Sequence, residues 1–371
     1  MILYLTYNDT HSGIYSSQVI DVVKFLRKEL HKEIRLVSLI SLRNFLLNRR
    51  KIKDELPDAI VVPMVPGISR WAYNHISLWI LCLFLQPKII IGRSVLATHL
   101  ALKNKKKDVR IIYDGRGAIA AEWEEYKVVE DKVLLSQIKQ LEKEAIFCTD
   151  YRIAVSHKLV EFWKMEYGYS AFTHAVIPCT LNKLFEDVNL SPGAILKART
   201  ELGLLEDDIV FVYSGSVAGW QSFALLYNFL APILNSESLV KILFLTDKDE
   251  NITKLEHEFP GRIICKKVAP DNVPDYLLAA DYGLLIREKS ITNKVASPVK
   301  FAEYLACGLP VVISEELGDY TDFVVEKKCG FLIRNLKFEK VTMENKKTIR
   351  TLHLTNFLKA SYLENYKTVV S

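Results

Sequence analysis

Short apolar runs alternate along the chain with longer stretches in which apolar residues recur every three or four positions. Ile2–Thr6 reads as a strand, and Ser16–Leu30 carries Val19, Val22, Val23 and Leu26 at helical spacing. The runs "AIVVPMV", "KIIIGRS", "VRIIYDGRG", "YRIAVSH" and "HAVIPC" follow, with helical patterns between them. From Pro178 to Gly203 turn signals replace this rhythm, and the segment reads as an interdomain connection. Alternation then resumes through "IVFVYSGS", "VKILFLTD", "GRIICKKV", "ADYGLLIR" and "LPVVIS". Strand–helix alternation of this kind predicts parallel sheets covered by helices on both faces. The pattern therefore gives an α/β chain of two doubly wound halves, each with its own sheet. Thr351–Val370 reads as one amphipathic helix through Leu352, Leu354, Phe357, Leu358, Tyr362 and Tyr366.

The length of 371 residues agrees with two domains. The net charge of +5 is uneven, with the basic excess confined to the first half. That half suggests an anionic partner, such as a membrane surface, a phosphate-bearing substrate or nucleic acid. The six cysteines form no C-x-x-C pair and read as buried, reduced thiols of a cytosolic protein. The opening "MILYLTYNDT" is a first strand rather than a signal peptide. The longest apolar run, Ile76–Leu85, is too short to cross a bilayer. With Trp71, Tyr73, "RRKIK" and "KNKKK" nearby, it suits either a membrane interface or a buried helix.

Open α/β sheets bind ligands at the carboxyl ends of their strands. In the first half those positions offer His11 and Gly13, then Asp114, Arg116 and Gly117 with Glu122 on the following helix. In the second half they offer Gly215, Ser216, Val268, Arg287 and the region of Ser297. The stretch "ASPVKFAEYLACGLPVVIS" is the most telling. Ser297 is a good N-cap, Pro298 a good first helical residue and Gly308 a left-handed stop. Phe301, Tyr304 and Leu305 share a core face, while Lys300 and Glu303 lie on another stripe. Free N–H groups beside Lys300 make an anion site, and Glu303 suits the two hydroxyls of a ribose. The same pair also fits a plain surface Lys–Glu contact. In "YDGRGAIAAEWEEY", Asp114 is an orienting or proton-accepting carboxylate of an acceptor site, or else half of a structural Asp–Arg bridge. The "DKD" at Asp247–Asp249 imitates a metal motif but falls in a surface loop.

The segment "ADYGLLIREKSITNKVASPVKFAEYLACGLPVVIS" resembles the donor-site signature of retaining glycosyltransferase family 4. "VYSGSVAGWQS" is similar to that family's first donor-domain strand and glycine loop, and "RIAVSHKLVEFW" and "HAVIPCTLNKLF" to the strands closing its acceptor domain. The resemblance implies the GT-B fold, two Rossmann-like domains facing a central cleft. Residues 1–183 would bind the acceptor, 184–350 the nucleotide-sugar, and 351–371 would pack back toward the first domain. It also implies a metal-independent hexosyltransferase of polysaccharide synthesis that acts with retention. Its donor would be a nucleotide diphosphate-sugar co-substrate with no further cofactor, and its acceptor a glycan, lipid-linked. The basic first half and the Trp71–Leu85 segment add an anionic membrane surface at the inner face as the expected partner, with no nucleic acid.

Arg287 and Lys300 would stabilise the leaving diphosphate, with Asp114 as the third catalytic group. Gly13, Gly215, Ser216, Val268, Ser297, Pro298 and Glu303 would bind the donor, and His11, Arg116 and Glu122 the acceptor. Two departures stand out. The first Glu of the family's Glu-x7-Glu is Val295, with Ser-Pro-x-Lys present instead, and Trp220 and Gln221 occupy the usual place of diphosphate-binding Arg and Lys. A nucleotide-sugar epimerase of the same architecture and a non-catalytic nucleotide-sugar-binding subunit are the competing readings.

Overall fold

Six consecutive buried residues make the first strand, β1 (Ile2–Tyr7). Such an unbroken apolar run is expected when both faces of a parallel strand are covered. The structure, a computed structural model, describes residues 1–181, 183–216, 221–335 and 337–371. It divides into two units. The first comprises Met1–Thr180, Val295–Ser297 and Lys359–Ser371, and the second Leu181–Lys294 and Pro298–Leu358.

The first unit holds a parallel sheet built from β1, β2 (Ile34–Ile40), β3 (Ile60–Pro63), β4 (Ile89–Arg93), β5 (Arg110–Gly115), β6 (Tyr151–Ala154) and β7 (His174–Val176). Their spatial order is β3-β2-β1-β4-β5-β6-β7. The second unit's sheet uses β8 (Ile209–Ser214), β9 (Val240–Leu245), β10 (Ile263–Cys265), β11 (Tyr282–Leu285), β12 (Val311–Ile313) and β13 (Gly330–Leu332). Its order is β10-β9-β8-β11-β12-β13. Both sheets reverse direction of winding beside their first strand. β1 pairs with β2 on one side and β4 on the other, with Ile2 opposite both Ile34 and Ile89. β8 likewise lies between β9 and β11. Loops diverge at such a switch point and leave a crevice at the strands' carboxyl ends.

Several local features differ from the pattern reading. Residues 183–203 are not a bare linker. They form helices Lys183–Glu186 and Pro192–Glu201, the latter capped by the Ser191 side chain, and Phe185, Val188 and Ala198 enter the second unit's core. The tail is not one helix. Met343–Asn356 ends at Phe357, a short 3-10 turn follows, and Leu363–Val370 forms a separate helix. Phe357 belongs to the second unit's core, whereas Tyr366, Val369 and Val370 belong to the first's, so the segment serves two cores and breaks between them. The first helical stretch passes through a π-helical turn, Ser16–Ile20, before the regular helix Asp21–Leu30. Cys148 is exposed, because it closes the helix Lys132–Phe147 at the surface, and Cys265 is only partly buried; all six cysteines are free.

Candidate functional site

In the second unit Gly215 and Ser216 after β8, Arg287 after β11 and Ser314 after β12 gather near the start of the helix Val299–Ala306. That helix is enclosed nearly all round. Phe301, Ala302, Tyr304, Leu305, Ala306 and Cys307 are fully buried, and Lys300 is only 7% exposed. Its start differs from the expectation in one respect. The N-cap is Pro298, with extended backbone and no side-chain cap. Ser297 does not cap, because its Oγ instead accepts the N–H of Cys179 at 2.9 Å, tying residues 295–297 to the first unit. Ser156 Oγ donates to the Val295 carbonyl at 2.7 Å, which fastens the same segment from its other end. Gly308 supplies the left-handed stop at φ +69°.

Lys300 is the centre of this site. It makes no ion pair with Glu303. Its ammonium turns inward, donates to Gln221 Oε1 at 3.0 Å and lies 4.0 Å from the centroid of the Tyr213 ring. Burial, reinforced by the neighbouring Arg287 charge, holds its pKa well below the ordinary lysine value, and Glu303 opposes this only in part. Gly215 makes room for the ammonium. At φ +143° it occupies backbone space that side chains avoid, and a Cβ there would sit 2.9 Å from Lys300 Nζ. Ser216, the next residue, receives the Tyr213 hydroxyl on its carbonyl at 2.6 Å, which fixes the ring under the ammonium.

Arg287 follows β11 and is buried. Its N–H donates to Ser314 Oγ at 2.8 Å and its Nη1 to Asn293 Oδ1 at 3.3 Å. Glu303 is half-buried, and desolvation raises its pKa to about 7 despite the nearby Lys300 charge. Val268 lies beyond β10, at the edge of the sheet and two strands from β8, where it packs on the apolar core. Trp220 falls outside the described residues. Asp249 of the "DKD" segment caps the helix Glu250–Glu258 by accepting the Asn251 N–H, and Asp247 pairs with Lys267 at 2.7 Å. Each of these two carboxylates thus has a structural use.

In the first unit the carboxyl ends of β1, β4 and β5 gather a second charged group. Asp114 is 2% exposed and fully engaged. It accepts from the Tyr4 hydroxyl at 2.5 Å, and Arg93 and Arg116 flank it at 3.5 and 3.4 Å. Arg116 also donates to Gln18 Oε1 at 3.4 Å and to Cys179 Sγ at 3.1 Å. Gln18, in the π-helical turn, donates in turn to the Thr180 carbonyl at 2.6 Å. A cavity of about 340 Å³ opens beside this cluster, lined by Asp9, Arg93, Arg116, Glu122 and Trp123 among others. Glu122 is carried by the helix Ile119–Tyr126, whose first N–H groups, from Ile119 and Ala120, donate to the buried Glu142 carboxylate. Desolvation lifts Glu142 to about 7 although those amides and the Tyr167 hydroxyl pull it back.

His11 pairs with Glu55 at 2.5 Å, and Ser16 donates to the same carboxylate at 2.8 Å. Gly13 opens the three-residue helical turn capped by Ser12. Asp9 and Arg93, which the sequence reading passed over, obey the same strand-end rule that selected Asp114. Gln221 stood out only as a departure from the family pattern and Tyr213 carried no signal, since only tertiary packing brings the two to Lys300.

Residues 243–351 match the family described as Glucosyltransferase 3-like, C-terminal domain. No curated protein sequence matches the chain. Among solved structures the chain is similar to a glycosyltransferase from Rickettsia africae ESF-5, at 14% identity and TM-score 0.71, covering 100% of this chain and 98% of that one. It is similar to sucrose-phosphate synthase from Thermosynechococcus elongatus at 13% identity and TM-score 0.70, covering 100% and 98%. It is also similar to WaaB, a lipopolysaccharide outer core galactosyltransferase, at 15% identity and TM-score 0.65, covering 100% and 99%. Two parallel-sheet, Rossmann-like α/β domains of this kind are the GT-B fold of glycosyltransferases.

Proposed function

We propose that the chain is a glycosyltransferase that moves a sugar from a nucleotide diphosphate-sugar to a hydroxyl of a glycan acceptor. The second unit holds the donor and the first unit the acceptor. The observation that carries this reading is the Lys300 ammonium, buried at a sheet's switch point with no carboxylate paired to it. A buried cation held below its ordinary pKa gains most from an incoming anion, which restores its charge. Arg287 lies close enough to lower the Lys300 pKa, so a single diphosphate would relieve the repulsion between them. Both charges then act on the group that becomes more negative as the glycosidic bond breaks. Glu303, one turn further along the helix, takes the ribose hydroxyls. Arg287, Ser297, Pro298, Lys300 and Glu303 all fall within the segment matching the glucosyltransferase 3-like family.

In the first unit Asp114 orients Arg93 and Arg116 rather than accepting a proton, since its oxygens are already engaged. Glu122 and Arg116 face the acceptor, and His11 orders the loop beside it. No nucleophilic side chain is assigned, and transfer proceeds with retention, the departing phosphate taking the acceptor proton. The transfer needs no metal, because Lys300, Arg287 and backbone N–H groups neutralise the diphosphate.

The acceptor is lipid-linked and serves cell-surface polysaccharide. Helix His75–Leu85 supports a membrane-surface location. Ile76, Trp79, Ile80, Leu83 and Phe84 are exposed on it, and Asn104 of the basic "KNKKK" loop donates to the His75 carbonyl. Among the described residues no helix is long and apolar enough to cross a membrane. The deciding experiment incubates the full chain with a panel of nucleotide-sugars and membrane extract. Sugar transfer by the wild type and its loss in Lys300→Ala are expected. A panel in which no nucleotide-sugar raises the melting temperature or is turned over would dispose of the reading.

A further inference from the structure

The first unit's cavity is lined by both polar and apolar side chains. Asp9, Arg93, Arg116 and Glu122 are among the polar ones, and Ile68, Trp123 and Val129 among the apolar ones. Its volume of about 340 Å³ sits at the lower end of the roughly 300–1,000 Å³ usual for small-molecule sites, enough for one ring rather than a chain of them. The charges are unevenly committed. Arg93 and Arg116 both lie against Asp114, and Arg116 has two further acceptors in Gln18 and Cys179. Asp9, by contrast, forms no hydrogen bond or ion pair with any described residue. It feels Arg93 and Arg116 only at longer range, and its desolvated surroundings raise its pKa. Glu122 is raised by burial as well, with Glu125 adding to the effect.

A half-buried, desolvated carboxylate short of donors is costly unless a ligand supplies them. Hydroxyl groups do so without bringing charge. A phosphate would instead meet the carboxylates of Asp9 and Glu122, with Asp114 already set against both nearby guanidinium groups. The apolar lining residues offer contact for the C–H face of a sugar ring.

We propose that Asp9 holds a hydroxyl of the acceptor, and that the acceptor group entering this cavity is an uncharged, polyhydroxylated ring rather than a sugar phosphate. Asp9 is thus a positioning residue that neither the strand-end reading nor the family resemblance selected. The assignment rests on the glycosyltransferase reading for its meaning, but binding at the cavity is measurable without turnover.

The test uses the full chain and two probe sets, methyl hexopyranosides and hexose 6-phosphates, with binding followed by ligand-observed NMR. Hexopyranosides should bind, and the phosphates should bind at least about tenfold more weakly. Asp9→Asn keeps the shape and should weaken hexopyranoside binding about tenfold, with Asp9→Glu recovering part of the loss. In transfer assays Asp9→Asn should raise the acceptor KM more than it lowers kcat. Unchanged hexopyranoside affinity in Asp9→Asn, or tighter binding of the phosphates by the wild type, would overturn the proposal. Nucleoside diphosphate binding by the wild type is measured alongside. Its absence, with hexopyranosides still bound, would remove the donor reading and leave this one standing.

Discussion

Lys300 and Tyr213 are stacked, with the ammonium 4.0 Å from the ring centroid and the ring pinned by its hydroxyl to the carbonyl of Ser216. A ring face offers a cation partial compensation, worth about 2 kcal/mol when desolvated, without cancelling its charge as a carboxylate would. The site is thereby kept folded and empty-handed toward an anion. Lys300→Ala and Arg287→Ala should each lower turnover by roughly 10²–10³, as for loss of one preorganised electrostatic group. Donor affinity should fall less than turnover, because the charge that matters develops on the leaving group. The double variant should be less than additive if both act on one diphosphate. Steady-state kinetics on the three variants checks this, and near-wild-type turnover in both singles would remove the assignment.

Gly215→Ala tests the same geometry from the other side. The new methyl carbon would meet Lys300 Nζ at 2.9 Å in a backbone conformation unsuited to alanine. Stability should drop by about 1–3 kcal/mol and donor affinity by about tenfold or more. Denaturant unfolding and calorimetry with a nucleoside diphosphate measure the two effects. Full retention of both would mean that Lys300 has another resting position.

The raised Glu303 pKa gives a pH signature. Its folded value of about 7 lies above the ordinary 4.5, so the folded state holds the proton more tightly than the unfolded chain. The resulting stability is complete below about pH 4.5 and is lost as the pH rises through about 7. Ribose binding by the carboxylate has the opposite dependence, and donor affinity should increase from pH 6 to 8. Glu303→Gln should flatten both profiles and weaken donor binding by about 1–3 kcal/mol. Identical pH profiles in the wild type and Glu303→Gln would exclude the ribose role.

Transfer should persist in excess chelator. Complete loss, restored by magnesium, would point to a metal-bound diphosphate and away from Lys300 and Arg287 as its main counter-charges.

Membrane attachment predicts binding to anionic vesicles that weakens as salt rises, because exposed basic residues act within a Debye length of about 10 Å at 0.1 M. Trp79→Ser and Phe84→Ser should reduce the binding left at high salt, where the apolar contribution remains. Equal partition to neutral and anionic vesicles would rule out the electrostatic part.

The doubly wound halves were legible because every central strand is an apolar run between longer helical patterns, as "ILYLTY" and "IVFVYS" are. The helix carrying Lys300 and its stop at Gly308 were equally plain. What the sequence hid was direction. Spacing put Lys300 and Glu303 on one stripe, and only the packing shows Lys300 folding inward over Tyr213 instead of outward to Glu303. Ser297 carried a capping signal that tertiary structure overrode, since the Cys179 N–H competes for its hydroxyl. Asp9 follows the end of β1, where the strand-end rule applies, but a lone acid in a loop has no spacing to single it out. Its meaning arises only when Arg93 and Arg116 are found held by Asp114.

The Lys359–Ser371 segment bears on how this chain can be cut. Tyr366, Val369 and Val370 are 6%, 0% and 2% exposed within the first unit's apolar cluster, yet they follow the second unit in the sequence. Burial of a large apolar side chain stabilises by about 1.5–3 kcal/mol, against a total of about 5–15 for a typical domain. The amino-terminal unit therefore cannot complete its core during synthesis until the whole carboxyl-terminal unit has been made. A stop before Lys359 would damage the half encoded first, and a fragment ending at Thr180 would be a poor substitute for the intact unit.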